Sequence, residues 1–222
     1  MKQDNVTNED LIRAAERHEK VMADWYEASV KNNIFQRFWH QRRMAMVENY
    51  SKGISGKILD IGCADGYLTN CIAKATVPTK IVGTDVLDGS LAYARKRYDS
   101  GLFSFVRADA QSLPFEDNYF DAVYLLEVIE HLEKPEMCLH EIYRVMKNKG
   151  NMFVLVPSES ICFKVIWWLW TQFKGKVWKN THLNIMSIEE LRMTLKKIGL
   201  KVVKEDYFMW GMLFIIKAQK DV

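Results

Sequence analysis

The sequence predicts an α/β fold built on a parallel sheet with helices on both faces. Three observations carry that expectation. Short apolar runs alternate with stretches of helical period from residue 57 to residue 157, and buried parallel strands read this way. The first run leads into a turn containing Gly62 and Gly66, followed by a helical stretch. The last two apolar runs are separated only by a short turn at Trp210 and Gly211, so they must pair antiparallel. The expected core is five parallel strands plus a C-terminal hairpin.

The elements follow in order. After a polar stretch from Lys2 to Asp10, residues up to 50 read as helix: Leu11, Ala14, Ala15, His18, Val21, Met22 and Trp25 recur at helical spacing. A second helical stretch carries Ile34, Phe35, Phe38, Trp39, Met44 and Val47, and Ser51-Lys52-Gly53 breaks it. The parallel strands are expected at Ile58–Ile61, Ile81–Thr84, Phe103–Val106, Ala122–Leu126 and Met152–Val156. The helices between them are expected at Tyr67–Ala75, Leu91–Tyr98 and Met137–Met146. Ser187-Ile188-Glu189-Glu190 is a capping box, in which hydroxyl and carboxylate each satisfy an orphan amide. The helix it starts should stop at Gly199, before strands at Val202–Tyr207 and Met212–Ile216. The division expected is a helical cap over 1–50 and a main domain over 51–222, with an aromatic insertion at about 159–181.

Composition narrows the class. With 222 residues, 49% apolar and 27% charged, the chain can bury a sizeable core. It shows neither a secretory leader nor an apolar stretch long enough to span a bilayer, so a cytoplasmic location is expected. Cys63, Cys71, Cys138 and Cys162 form no CxxC pair, which argues for reduced, mostly buried thiols. The net charge of +3 is uneven: from Arg144 to Lys204 there are twelve Lys/Arg against three Asp/Glu. An anionic partner for that part and a set of solvated helix faces both account for it.

Three carboxylate-bearing strand ends suggest a ligand site. The stretch Asp60-Ile61-Gly62-Cys63-Ala64-Asp65-Gly66 runs from strand to turn to helix. There glycine permits close backbone approach and the helix N-terminus offers free amides. Asp85 ends the next strand, where a carboxylate can accept from both hydroxyls of a ribose. Capping the following helix is its alternative role. Asp109, followed by Ala110, ends the third and can take the amine of an adenine, or make a local turn. The dinucleotide pattern GxGxxG does not fit, since no third glycine follows Gly66 at the required spacing.

The segment from Lys57 to about Pro157 resembles the class I S-adenosylmethionine-dependent methyltransferases, most closely the broad family that includes the ubiquinone and menaquinone methyltransferases. The resemblance runs through Leu59–Gly66, Gly83-Thr84-Asp85, Ala108–Phe115, Phe120–Val123, Glu127–Leu132 and Glu141–Lys147, in the family's order. His182 and the Ser187–Gly199 helix match the family's tail. The resemblance implies a Rossmann-like, seven-stranded sheet of order 3-2-1-4-5-7-6 with strand 7 antiparallel, and S-adenosylmethionine as cofactor. It places Asp60, Gly62, Cys63, Ala64 and Gly66 around the methionine part and Asp85 with Val86 at the ribose. Asp109 and Ala110 fall at the adenine, and Glu127 near the reacting methyl. Ala64 departs from the family, standing where a glycine is usual, and should reduce tolerance in the turn.

Methyl transfer from a sulfonium needs orientation and a dry site, and a base only where the acceptor must lose a proton. The candidates are His131, Glu127, Glu130 and His182, with His131 and Glu127 as the catalytic pair. One reading makes this cluster a pocket wall. Another makes Glu127, Glu130, His131 and His182 ligands of a divalent metal. From the N-terminal helices, Tyr26, Trp39, His40 and Arg43 are expected at the pocket. The segment Ile161–Phe173, with Trp167, Trp168 and Trp170 followed by Lys174, Lys176, Trp178 and Lys179, can be a lid, a membrane contact or a dimer contact.

The expected function is methyl transfer to a small or amphipathic acceptor, by a monomer or homodimer in the cytoplasm, free or at a membrane periphery. The alternatives are a metal-assisted O-methyltransferase acting on a quinol, phenol or RNA, and a non-catalytic cofactor-binding partner subunit. Modest overall charge makes nucleic acid an unlikely partner.

Overall fold

A computed structural model describes residues 8–98, 100–158, 160–172, 175–178, 181 and 186–221. Three N-terminal helices come first: α1 (Asn8–His18), α2 (Trp25–Asn32) and α3 (Ile34–Ser51). An alternating unit follows: β1 (Ser55–Ile61), α4 (Tyr67–Ala75), β2 (Val77–Asp85), α5 (Asp88–Arg97) and β3 (Phe103–Arg107). Then come β4 (Phe120–Leu126), α6 (Pro135–Val145), β5 (Met146–Pro157) and α7 (Ile161–Gln172). The chain ends with α8 (Ile188–Lys197), β6 (Leu200–Phe208) and β7 (Leu213–Lys220).

The strands form one seven-stranded sheet of order β3-β2-β1-β4-β5-β7-β6. β1 to β5 are mutually parallel, and β7 runs antiparallel to both β5 and β6. The pleat sorts side chains to two cores. Leu59, Val82, Val123 and Val154 face Leu139 and Ile142 of α6 and Leu191 and Leu195 of α8. Ile58, Ile81, Tyr124 and Leu155 face Ile72 of α4 and Met44, Val47 and Tyr50 of α3. Both faces are therefore apolar and covered, the reason the strands read as continuous apolar runs.

One feature differs from the sequence expectation. The apolar periodicity of the first helix continues through Val21 and Met22, yet α1 ends at His18. Hydrogen bonds from Val21 N–H to His18 C=O and from Trp25 N–H to Met22 C=O turn the chain there. A shared apolar face thus spans two helices set at an angle. The end of the N-terminal helical segment joins the sheet directly. α3 packs into the layer that covers the sheet, and the Tyr124 hydroxyl donates to Ser51 Oγ at 2.8 Å.

The C-terminal hairpin is held by a buried lysine. Lys220 Nζ donates to Asn118 Oδ1, Tyr143 C=O and Met146 C=O, using all three of its hydrogens. The capping box at Ser187 forms as expected, with both reciprocal hydrogen bonds present.

Candidate active site

The turn after β1 is pinned to the end of β2. Gly62 and Cys63 N–H both donate to Thr84 C=O, at 2.7 and 2.9 Å. Gly62 has φ +73°, and a Cβ there would run into Val128, so glycine is required twice over. Ala64 occupies the left-handed region at φ +45°, which costs an L-residue about 1–2 kcal/mol. Its N–H donates to Asp85 Oδ2 at 2.9 Å, and Leu87 N–H donates to Asp85 Oδ1 at 2.9 Å. Burial raises the Asp85 carboxyl above its ordinary range, opposed by these amides.

A first cavity of about 920 Å³ of empty space, counted out to solvent, opens at the C-terminal ends of β1, β2 and β4. Gly62, Ala64, Asp85, Val86, Asp109, Ala110, Glu127 and His131 are on its wall. Asp60, Cys63 and Gly66 are not among its lining residues. Asp60 lies beneath the turn, where it accepts from Thr69 Oγ1 at 2.6 Å, and burial pushes its carboxyl up to about 7. Cys63 is buried against Leu91, Ala94 and Phe105. Gly66 caps α4 in the left-handed conformation. These three shape the turn from behind. Asp109 accepts from Gln111 N–H at 2.8 Å, so it makes the local turn while remaining on the wall.

The N-terminal helices close the cavity. Ala14, Arg17 and His18 of α1, the turn residues Val21 and Met22, and Trp25 and Tyr26 of α2 all line it. Arg17 bonds Glu133 at 2.6 Å across the opening. Asp65, which the motif reading left without a role, accepts from Glu27 N–H and Tyr67 N–H and so fastens α2 to the turn. No sequence pattern links Asp65 to residue 27; only the fold brings them together.

A second cavity, of about 950 Å³ on the same measure, adjoins the first. The two share Trp25, Tyr26, Glu127, His131 and Trp178 as wall residues. The second adds Trp39, His40, Arg43, Glu130, Phe163, Trp167 and Trp170, among others. All four residues expected from the N-terminal helices are thus on its wall. Of the three adjacent tryptophans, Trp167 and Trp170 line the cavity and Trp168 is 61% exposed on the outside of α7. Of these three tryptophans, Trp168 alone is presented outward. Trp178 was read from sequence only as part of an aromatic-basic tail, whereas it packs against His18, Trp25 and His131 between the cavities.

A polar relay runs along the seam. Arg43 Nη2 lies 2.7 Å from Glu127 Oε2, and Arg43 Nη1 donates to His40 Nδ1 at 3.0 Å. His40 Nε2 therefore carries the hydrogen and faces Ser29 Oγ at 3.2 Å, while Ser29 donates to Tyr26 C=O. Burial, then the neighbouring Arg43, pushes His40 down to about 3, so it stays neutral. Burial raises Glu127, and Arg43 opposes the shift. His131 Nδ1 is 2.9 Å from Thr181 C=O. A carbonyl only accepts, so in the neutral ring Nε2 is the basic nitrogen.

Among the described residues no group of three His, Cys, Asp or Glu is placed to hold a metal ion. Glu127 is instead paired with a guanidinium, and His182 lies outside the described residues. Of the cysteines, Cys63 and Cys138 are buried, Cys71 is half-buried and Cys162 is exposed on α7. Among the described residues no helix is long and apolar enough to cross a membrane.

Comparison with known proteins agrees with this geometry. Residues 59–154 match a methyltransferase domain family. The ubiquinone/menaquinone biosynthesis C-methyltransferase UbiE of Burkholderia mallei is 35% identical over 131 residues, 53% of this chain and 54% of the relative. The chain thus spans about half the length of the curated relatives it matches. A Haloferax volcanii methyltransferase solved with the Trm112 methyltransferase activator superposes with a TM-score of 0.72 at 18% identity, covering 94% of this chain and 98% of the other. Magnesium protoporphyrin IX methyltransferase of Synechocystis, solved with S-adenosylhomocysteine bound, gives 0.66 at 16% identity, covering 85% and 88%. Residues 59–154 are thus similar to a methyltransferase domain, and the chain shares its fold with solved methyltransferases.

Proposed function

We propose that the chain transfers a methyl group from S-adenosylmethionine to a planar, amphipathic small-molecule acceptor. One observation carries this reading: the two cavities meet on a common wall that includes Glu127 and His131. The first takes the cofactor. Asp85 uses one acceptor position on each oxygen for Ala64 and Leu87, and an ionised carboxylate has about four, so ribose hydroxyls can still bond there. The second takes the acceptor: Trp39, Phe163, Trp167 and Trp170 supply flat apolar walls, and Arg43, Glu127 and His131 supply polar groups at the inner end.

The cofactor, when bound, supplies an electrophilic methyl on a sulfonium. The chain holds the acceptor in line with it, excludes water with the α1–α2 cover, and receives a proton at His131 Nε2 where the acceptor loses one. Arg43 fixes Glu127 at the seam as a positioning residue. The UbiE relatives, named for C-methylation in quinone biosynthesis, support a quinol-like ring as the first acceptor to test. The Haloferax neighbour, solved with an activator, supports a second reading, in which a partner protein completes the site.

Calorimetric titration with S-adenosylmethionine and S-adenosylhomocysteine tests the cofactor half, with Asp85→Ala as control. A loss of at least about tenfold, or about 1.4 kcal/mol, is expected in the variant. Labelled-methyl transfer to a panel of quinols, phenols and lipid headgroups tests the rest. A folded chain that binds neither cofactor form overturns the reading. Cofactor binding without transfer to any acceptor, with a protein partner recovered, moves it to the partner reading.

A further inference from the structure

We propose that the mouth of the second cavity is a docking surface for an anionic phospholipid bilayer. The inference rests on the reading of that cavity as the acceptor site only for its purpose, since an amphipathic acceptor would enter from lipid. The surface itself stands on other observations.

α7 is apolar on both faces. Phe163 and Thr171 are buried, and Trp167 and Trp170 line the cavity with Phe163. The opposite face carries Ile161, Val165, Trp168 and Leu169, exposed by 82, 52, 61 and 46%. A helix apolar all round belongs inside a protein core or in lipid, and among the described residues none covers this face. At 12 residues, α7 is about 18 Å long and cannot span a bilayer, but it can lie in the interface. Across the mouth, α3 opens with Ile34, Phe35 and Phe38, also exposed. Phe35 and Ile166 are at once exposed and part of the cavity wall, so they form its rim.

Charge selects the occupant. From Ala28 to Val47 the sequence has no Asp or Glu, and besides Lys31, paired with Glu27, and Arg43, paired with Glu127, it carries Arg37 and Arg42; residues 160–181 have four lysines and no Asp or Glu. Arg37, Arg42 and Lys164 are exposed beside the apolar rim. Cations set around apolar and aromatic side chains complement anionic headgroups over an acyl layer. A second copy of the chain would bring the same cations against each other across a two-fold interface, which disfavours a homodimer here.

The test is co-sedimentation of the full chain with vesicles of phosphatidylcholine, with and without phosphatidylglycerol. Binding is expected to the anionic vesicles at low salt and to weaken as salt rises. Removing one cation, as in Arg37→Gln or Arg42→Gln, should weaken it about fivefold. The double variant Val165→Ser/Trp168→Ser, on neither cavity wall, should stay in the supernatant while binding S-adenosylhomocysteine as the native chain does. No pelleting of the native chain with anionic vesicles overturns the proposal, as does equal pelleting of the double variant. Concentration-dependent dimerisation of the native chain that the double variant loses also overturns it, by making a second copy the occupant. Intact pelleting with no S-adenosylhomocysteine binding overturns the active-site reading alone.

Discussion

Arg43 Nη2 stands 2.7 Å from Glu127 Oε2, joining helix α3 to the end of strand β4 at the seam of the two cavities. Glu127 also has φ +56°, a left-handed conformation that a non-glycine residue keeps only when its surroundings hold it. Removing the guanidinium leaves a carboxylate in a site from which water is largely excluded. Arg43→Met should therefore lower stability by about 3 kcal/mol in urea unfolding, and adding Glu127→Gln should recover a measurable part. If single and double variants unfold at the same midpoint, an unpaired buried charge is not the cause.

Ala64 and Gly62 make opposite predictions from one turn. Ala64 sits at φ +45°, so Ala64→Gly should raise stability by up to about 1 kcal/mol, after the greater unfolded-state freedom of glycine is subtracted. Gly62→Ala must accommodate a Cβ against Val128 at φ +73°. It should lose about 1–3 kcal/mol together with cofactor affinity. Thermal melts with and without S-adenosylhomocysteine read both. A neutral Gly62→Ala would contradict the close approach.

Asp85 links cofactor affinity to pH. Burial raises its carboxyl above the ordinary value of 3.8, so as pH falls it takes up a proton earlier than an exposed Asp. On the proposed cofactor reading, its acceptors for the ribose are then reduced. Affinity for S-adenosylhomocysteine should fall as pH is lowered toward the ordinary carboxylate range, beginning at a higher pH than an exposed Asp would give, and this dependence should disappear in Asp85→Asn. A slope that survives in the variant would assign the titration to another group.

Asp60 predicts a stability slope. Its carboxyl titrates at about 7 in the fold against 3.8 when unperturbed. Between those values the unfolded chain has lost the proton and the folded chain retains it, so raising pH disfavours folding. The loss approaches about 1.4 kcal/mol per pH unit in that window and is complete once pH exceeds the folded value. Asp60→Asn keeps an acceptor for Thr69 and should gain stability relative to the native chain as pH rises from about 4 to about 7. Parallel stability curves for the two proteins would show that Asp60 ionises freely in the fold.

Residues in contact through local geometry were legible in the chain. The Gly62–Gly66 turn, the carboxylates closing three successive strands, the Ser187–Glu190 box and the final hairpin all follow from short spacings, and the structure reproduces each element. His40 and Arg43 were readable as pocket residues because they share a helix with Trp39. Their partners were not: Arg43 reaches Glu127 over more than eighty residues of chain, and Asp65 reaches the backbone of Glu27 over thirty-eight. Trp178 lay in a segment whose composition left lid, lipid and dimer contacts open, and only its packing on His18, Trp25 and His131 gives it a place between the cavities.

The sequence by itself determined the sheet, its helices and the glycine turn after β1, because strand alternation, capping and glycine requirements act over a few residues. Tertiary structure decided which side of α7 faces inward and which carboxylates reach the cavity wall. It also set where the N-terminal helices close over the site. Those outcomes depend on long-range packing, in which a side chain's surroundings come from segments far away in sequence, and no local periodicity encodes them.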